Sequence, residues 1–165
     1  SAGSILELAA KLGSDVPFFL QDDPALVTGR GEFVRSLKPF SALIGSGMLL
    51  VHPGFGVNTP WAYQALAKNP EPFEVEGHAE RMINSLGEGR LEGFNNSLEA
   101  AVFPKFPVLP LIKEFFFANG ARASLMSGSG STMFAITGDR PLAEVLRAKY
   151  HDRFGQAGWS ATVAL

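Results

Sequence analysis

The stretch ASLMSGSGSTMFAIT, from Ala123 to Thr137, sets two apolar segments on either side of a loop of glycine and hydroxyl residues. Residues 123–126 and 132–137 predict two β-strands. Between them, the glycines allow successive backbone N–H groups to converge on an anion, and the hydroxyl groups add donors. The loop is neither a Walker A sequence, which needs Gly-Lys-Ser/Thr, nor a Rossmann glycine motif that opens a helix. The local pattern also permits a flexible hairpin loop without a ligand.

Helical and strand patterns alternate on both sides of this hairpin. Helices are predicted from Thr59-Pro60 to about Lys68, with Thr59 as the N-cap, and over residues 79–87, 91–103, 107–119 and 141–154. Further strands are predicted over residues 42–52, with an interruption at 45–47, and over residues 160–165. From residue 42 onward, this order predicts an α+β fold in which helices pack on one face of a mostly antiparallel sheet.

The pattern changes at Lys38-Pro39. Before this point, the sequence predicts a helix that ends at Gly13, a short strand or packed loop at 18–20, and two short strands at 25–29 and 33–37. The sequence starts without an initiating Met or a leading strand. We therefore expect the chain to begin within a larger protein and to contain two parts, residues 1–38 and 39–165.

Composition excludes several classes of protein. The chain of 165 residues has no cysteine, which excludes disulfides, thiolate zinc sites and a cysteine nucleophile. The three histidines are scattered without metal-ligand spacing, so no metal ligand is predicted. A net charge of -2 with interspersed signs argues against nucleic-acid and membrane partners. The longest apolar runs are too short to span a bilayer, and these features together favour a cytoplasmic protein.

Asp15 lies between Gly13 and the rigid Pro17, in the apolar segment LGSDVPFFL of residues 12–20. A carboxylate in such a place can orient or deprotonate a substrate hydroxyl group. The alternative, which the local pattern favours, is a capping aspartate in a turn.

A second candidate segment is the loop that leads into the predicted helix at Thr59-Pro60. The first N–H groups of a helix are available to a ligand. Trp61 and Tyr63 are candidate surfaces for stacking on a base, although a place in the core is the more common fate of a single aromatic residue. The polar residues 95–97 fit either contacts near a site or solvated and capping roles.

Four segments, taken together and in order, resemble the diphosphocytidyl-methylerythritol kinases of the GHMP family: LGSDVPFFL (12–20), GRGE (29–32), NSLE (96–99) and LMSGSGST (125–132). The resemblance covers nearly the whole chain. It implies that residues 1–38 end the N-terminal kinase domain and that residues 39–165 form the GHMP C-terminal domain. The implied reaction transfers the γ-phosphoryl group of ATP to a hydroxyl of 4-diphosphocytidyl-2-C-methyl-D-erythritol, in the non-mevalonate route to isoprenoid precursors.

The same resemblance implies roles for individual residues. Asp15 matches the catalytic aspartate, which accepts or orients the hydroxyl proton. Thr59, Pro60 and Tyr63 fall where the family binds its substrate, with an aromatic ring stacked on cytosine. The third GHMP motif, a loop near the phosphates, corresponds to Ser127, Gly128, Ser129, Gly130, Ser131 and Thr132. The implied co-substrate is ATP, used with Mg²⁺, and a homodimer is compatible with the family.

Two family features are absent from the chain: the Gly-Leu-Gly-Gly-Ser-Ser loop that binds ATP phosphates, and the lysine that pairs with the catalytic aspartate. We therefore expect the chain alone to bind ATP poorly and to show negligible turnover. One alternative is another GHMP kinase, of the homoserine or mevalonate type. The occurrence of DVPFF (15–19) together with GRGE (29–32) argues against it. The others are a non-catalytic α/β binding module and a degenerate kinase domain that mediates assembly.

Overall fold

The computed structural model describes residues 2–13, 15–68 and 77–165, and the chain divides into two compact units, Ser1–Phe40 and Ser41–Leu165. The first unit contains helix α1 (Ala2–Leu12) and a hairpin of strands β1 (Ala25–Thr28) and β2 (Phe33–Ser36). Residues 18–20, predicted as a strand or packed loop, instead belong to a 3₁₀ helix, Val16–Leu20. Pro17 lies in its first turn, where the missing N–H group has no helical acceptor.

The second unit is built on a four-stranded sheet with the strand order β4-β5-β3-β6. Its strands are β3 (Gly47–His52), β4 (Ala123–Met126), β5 (Met133–Thr137) and β6 (Trp159–Ala164). All three pairings are antiparallel. Because Met126 pairs with Met133, the loop of residues 127–132 lies at the end of the β4–β5 hairpin.

Four helices share one hydrophobic core with one face of this sheet. The helices of the unit are α2 (Thr59–Lys68), α3 (His78–Gly87), α4 (Leu98–Val102), α5 (Val108–Ala118) and α6 (Arg140–Phe154). Alternate strand residues such as Leu49, Val51 and Ala135 meet buried residues of α2, α4, α5 and α6, such as Ile112 and Phe116. The predicted α+β architecture, with helices on one face of an antiparallel sheet, is confirmed.

Two predicted elements are shorter than expected. Only Leu98–Val102 of the helix predicted over 91–103 is helical, because Gly93 has a φ of +80° and Asn96 accepts the Leu98 N–H in a turn before the helix. The strand predicted from residue 42 begins at Gly47, after a turn that includes Gly45. None of the helices in the described part of the chain has the length and apolarity that a membrane crossing requires.

Candidate active site

The loop of residues 127–132, hereafter the hairpin loop, is closed by its own backbone. Ser127 N–H donates to the Thr132 carbonyl at 2.8 Å, and Gly130 N–H donates to the Ser127 carbonyl at 3.0 Å. Gly128 and Gly130 have φ values of +55° and +86°, in the region that glycine adopts most readily. The alternation of glycine with serine therefore has a backbone cause.

Two side chains connect the hairpin loop to the start of α2 and to the segment before it. The Ser131 hydroxyl, which is buried, donates to the Phe55 carbonyl. The Ser129 hydroxyl lies 2.7 Å from that of Thr59. The structure thus brings Thr59 and the hairpin loop together, two parts of the candidate site that the sequence presents far apart.

The N-terminus of α2 differs from the prediction in its capping residue. Asn58, not Thr59, caps the helix, since its Oδ1 atom accepts the Trp61 N–H at 2.9 Å. Thr59 begins the helix and Pro60 follows within the first turn, where a proline removes no helical hydrogen bond. Because Asn58 provides the cap, the Thr59 hydroxyl is available for its bond to Ser129.

The two aromatic candidates have different surroundings. The Lys105 ammonium group lies 4.0 Å from the centroid of the Trp61 ring, and the Phe106 ring approaches Trp61 edge-on at 6.0 Å. Trp61 is therefore a packed residue and not an open stacking surface. Tyr63, two residues further along α2, is 60% exposed and offers a ring to a ligand.

Asn96 and Glu99 hold the end of β4 and the hairpin loop, and Lys113 pairs with Glu99. Asn96 Nδ2 donates to the carbonyls of Met126 and Gly128, both at 2.8 Å. Glu99 Oε1 accepts the Met126 N–H at 2.8 Å, and Glu99 Oε2 forms an ion pair with Lys113 at 2.5 Å. The sequence pointed to Asn96 and Glu99 only through the polar run 95–97 and the family segment NSLE (96–99), and it gave no signal for Lys113.

Asp15 belongs to the first unit. Its side chain is exposed and makes no capping hydrogen bond to the 3₁₀ helix that follows, so the alternative of a capping aspartate lacks its defining contact. Ser14, the neighbour within the same segment, lies outside the described residues.

Other features of the described residues do not involve the predicted site. A cleft of about 430 Å³ beside α3 is lined by residues that include His78, Arg81, Arg90 and Glu92, and none of the predicted site residues lines it. Within residues 2–13, 15–68 and 77–165, no group of three or more histidine or acidic side chains is arranged to hold a metal ion.

Comparison with known proteins connects this geometry to a family. Residues 75–156 match the family model described as GHMP kinases C terminal. The 4-diphosphocytidyl-2-C-methyl-D-erythritol kinase of Pelobacter propionicus is 37% identical over 97% of this chain and 54% of its own length. The kinase of the same name from Citrifermentans bemidjiense is 40% identical over 80% of the chain and 45% of its own length.

A solved structure gives the same connection. The crystal structure of a 4-(cytidine 5'-diphospho)-2C-methyl-D-erythritol kinase superimposes with a TM-score of 0.76 at 31% identity, and the match covers 98% of this chain and 57% of that one. The chain thus spans about half the length of the curated relatives it matches.

Proposed function

Because the chain belongs to the GHMP kinases, whose C-terminal domain it contains, we propose that it is part of an ATP-dependent kinase that phosphorylates a hydroxyl of 4-diphosphocytidyl-2-C-methyl-D-erythritol, in the non-mevalonate route to isoprenoid precursors. The observation that supports this substrate is the 37% identity to a kinase of that name over 97% of the chain. In this proposal, residues 1–38 end the N-terminal kinase domain and residues 39–165 form the C-terminal domain.

The hairpin loop is proposed to bind phosphate. Its glycines and serines present backbone N–H groups, and those of Gly128 and Ser129 have no acceptor among the described residues. Such N–H groups bind anions without a charged side chain, as in other backbone anion sites. Two side chains secure the loop, since Ser131 bonds to the Phe55 carbonyl and Ser129 to Thr59. A secured loop suits phosphoryl transfer, which depends mainly on positioning and on neutralising charge.

Asp15 is proposed as the group that receives the proton of the substrate hydroxyl. As that oxygen bonds to the γ-phosphorus of ATP, the bond to the leaving ADP oxygen breaks and the proton passes to a carboxylate. An exposed carboxylate without a capping hydrogen bond is available for this role.

Thr59, Pro60 and Tyr63 are proposed to bind the cytidine-bearing substrate. The exposed ring of Tyr63 suits stacking on cytosine, because an aromatic face pairs with a base without needing a charge. Trp61 is left out of this role, since Lys105 covers its ring.

ATP is the proposed co-substrate. Mg²⁺ commonly binds through one or two carboxylates together with substrate phosphates, so the proposal needs no cluster of protein ligands. When bound, the ion would neutralise charge on the phosphates. We also propose a cytoplasmic enzyme without nucleic-acid or membrane partners, and a homodimer stays a prediction.

The test is a coupled assay of ADP release on the full-length gene product with ATP, Mg²⁺ and 4-diphosphocytidyl-2-C-methyl-D-erythritol. Mevalonate and homoserine are the comparison alcohols, because kinases of those types are the alternatives within the family. Release that depends on the cytidine substrate supports the proposal. Release that depends on mevalonate or homoserine would replace the proposed substrate with that alcohol. No release from a folded protein with any of the three alcohols would reject the proposed kinase activity.

A further inference from the structure

We propose that Asn96 is a positioning residue, which orients the Gly128–Ser129 peptide so that the Ser129 N–H faces the bound phosphate. The inference rests on the proposed phosphate-binding function of the hairpin loop. Asn96 contacts no substrate in this scheme and acts through the loop backbone.

The orientation of the Asn96 amide follows from its neighbours. The oxygen Oδ1 must face the Leu98 N–H, which lies 3.0 Å away and needs an acceptor. The nitrogen Nδ2 then faces the carbonyls of Met126 and Gly128, which need donors, at 2.8 Å each. Only one of the two amide flips therefore satisfies all three backbone groups.

Planarity of the peptide bond transmits this orientation to the loop. In a trans peptide the C=O and the following N–H point in opposite directions. The Gly128–Ser129 peptide bond is trans. Because Asn96 holds the Gly128 carbonyl, the Ser129 N–H points away from Asn96, and it has no acceptor among the described residues.

Glu99 and Lys113 also help to hold Met126, the residue from which the hairpin loop begins. The Met126 backbone is held at both of its polar groups, the carbonyl by Asn96 and the N–H by Glu99. The Glu99 side chain is only 12% exposed and that of Lys113 24%. Hydrogen bonds in such partly desolvated surroundings are stronger than the same bonds in water. The hairpin loop thus begins from a residue whose position is set by α4 and α5.

The test compares two single substitutions in the full-length gene product. Asn96→Asp keeps the oxygen that accepts the Leu98 N–H but replaces the donor with an acceptor that faces two carbonyls. Asn95→Asp is the matched control, because Asn95 is exposed, has no hydrogen bond with another described residue and gains the same charge. Thermal unfolding of both variants checks that the fold is intact.

The first readout is amide hydrogen exchange at Ser127 and Gly130, whose N–H groups are bonded within the loop. We expect exchange to accelerate by about tenfold in Asn96→Asp, in line with the net worth of one or two hydrogen bonds, and to be unchanged in Asn95→Asp. This readout does not depend on catalysis. Exchange within twofold of the unsubstituted protein would overturn the inference.

The second readout is the kinetics of ADP release. We expect Asn96→Asp to lower kcat by about 10- to 100-fold, as a misplaced catalytic donor does, while the KM for the alcohol changes little. An unchanged kcat with accelerated exchange would show that the loop position does not serve catalysis and would overturn the inference. If the unsubstituted protein is inactive, the proposed kinase fails, while the exchange result still decides whether Asn96 holds the loop.

Discussion

The hydroxyl groups of Thr59 and Ser129 lie 2.7 Å apart, although the two residues are 70 positions apart in the chain. The bond joins the first turn of α2 to the hairpin loop between β4 and β5. One of these segments is proposed to bind the cytidine substrate and the other to bind phosphate, so the bond holds the two substrate-binding regions at a set distance.

Replacing Thr59 with valine keeps the shape of the side chain and removes its hydroxyl group. We expect kcat/KM of the full-length gene product to fall by about 3- to 10-fold, which corresponds to the loss of one hydrogen bond between partly exposed groups. Thr59→Ser keeps the hydroxyl and is the control, expected within about twofold of the unsubstituted protein. Equal rates for the valine and serine variants would show that the bond to Ser129 has no functional weight.

Asp15→Asn tests the proposed proton acceptor. The amide has nearly the same shape but cannot accept the proton, so we expect kcat for ADP release to fall by about 10²- to 10⁴-fold. Asp22→Asn removes an equal charge from an exposed position in the same unit and serves as the control. Turnover within tenfold of the unsubstituted protein would contradict the role of Asp15 as a general base.

Ser124 provides a test of stability inside the core. Its side chain is 3% exposed, and its hydroxyl has no hydrogen-bond partner among the described residues. We expect Ser124→Ala to raise the free energy of unfolding by about 1 kcal/mol, because a buried unpaired hydroxyl destabilises the folded state. Urea denaturation measures this change, and a loss of stability would contradict it.

The matched comparison for Ser124 is Thr137, which is 2% exposed and has partners. Its hydroxyl lies 3.2 Å from the Gly47 carbonyl and 2.6 Å from the Asp139 carbonyl. Thr137→Val should therefore lower the free energy of unfolding by about 1 kcal/mol, since it removes the hydrogen bond that this buried hydroxyl donates.

The burial of Tyr150 predicts that the free energy of unfolding falls at alkaline pH. Burial raises the pKa of the Tyr150 hydroxyl, because the ionised form is poorly solvated in the folded protein. The unfolded chain loses this proton first, so the contribution of Tyr150 is complete below about pH 10 and is lost as the pH rises further. We expect Tyr150→Phe to weaken the decline in the free energy of unfolding above pH 10, measured by denaturation at a series of pH values.

Most elements of the second unit could be predicted from periodicity alone. Strands β4 and β5 and helices α2, α3, α5 and α6 lie within about two residues of the predicted ranges, because each has a regular apolar pattern that ends at a turn or a glycine. The prediction of a helix over residues 91–103 was wrong in its first half. There Gly93 and the side chain of Asn96 provide local alternatives to the helical backbone, and periodicity does not detect them.

Some features of the candidate site could likewise be predicted from the sequence, and others only from the structure. The alternation of glycine and serine at 127–132 permitted either a backbone anion site or a hairpin loop without a ligand. The resemblance to the GHMP kinases favoured the anion site, which stays a prediction. By contrast, Trp61 was one of two equivalent aromatic candidates until its contact with Lys105 separated it from Tyr63. That contact joins residues 44 positions apart, so no local pattern reports it.

The sequence by itself determined the elements of this protein, the turn at its hairpin loop and its family. These properties depend on neighbouring residues, through the repeat of apolar side chains and the backbone freedom of glycine. Only the tertiary structure decided that Asn96, Glu99 and Lys113 converge on Met126 and that Thr59 reaches Ser129. Hydrogen bonds act over about 3 Å, so their partners are set by how the helices pack on the sheet and not by distance along the chain.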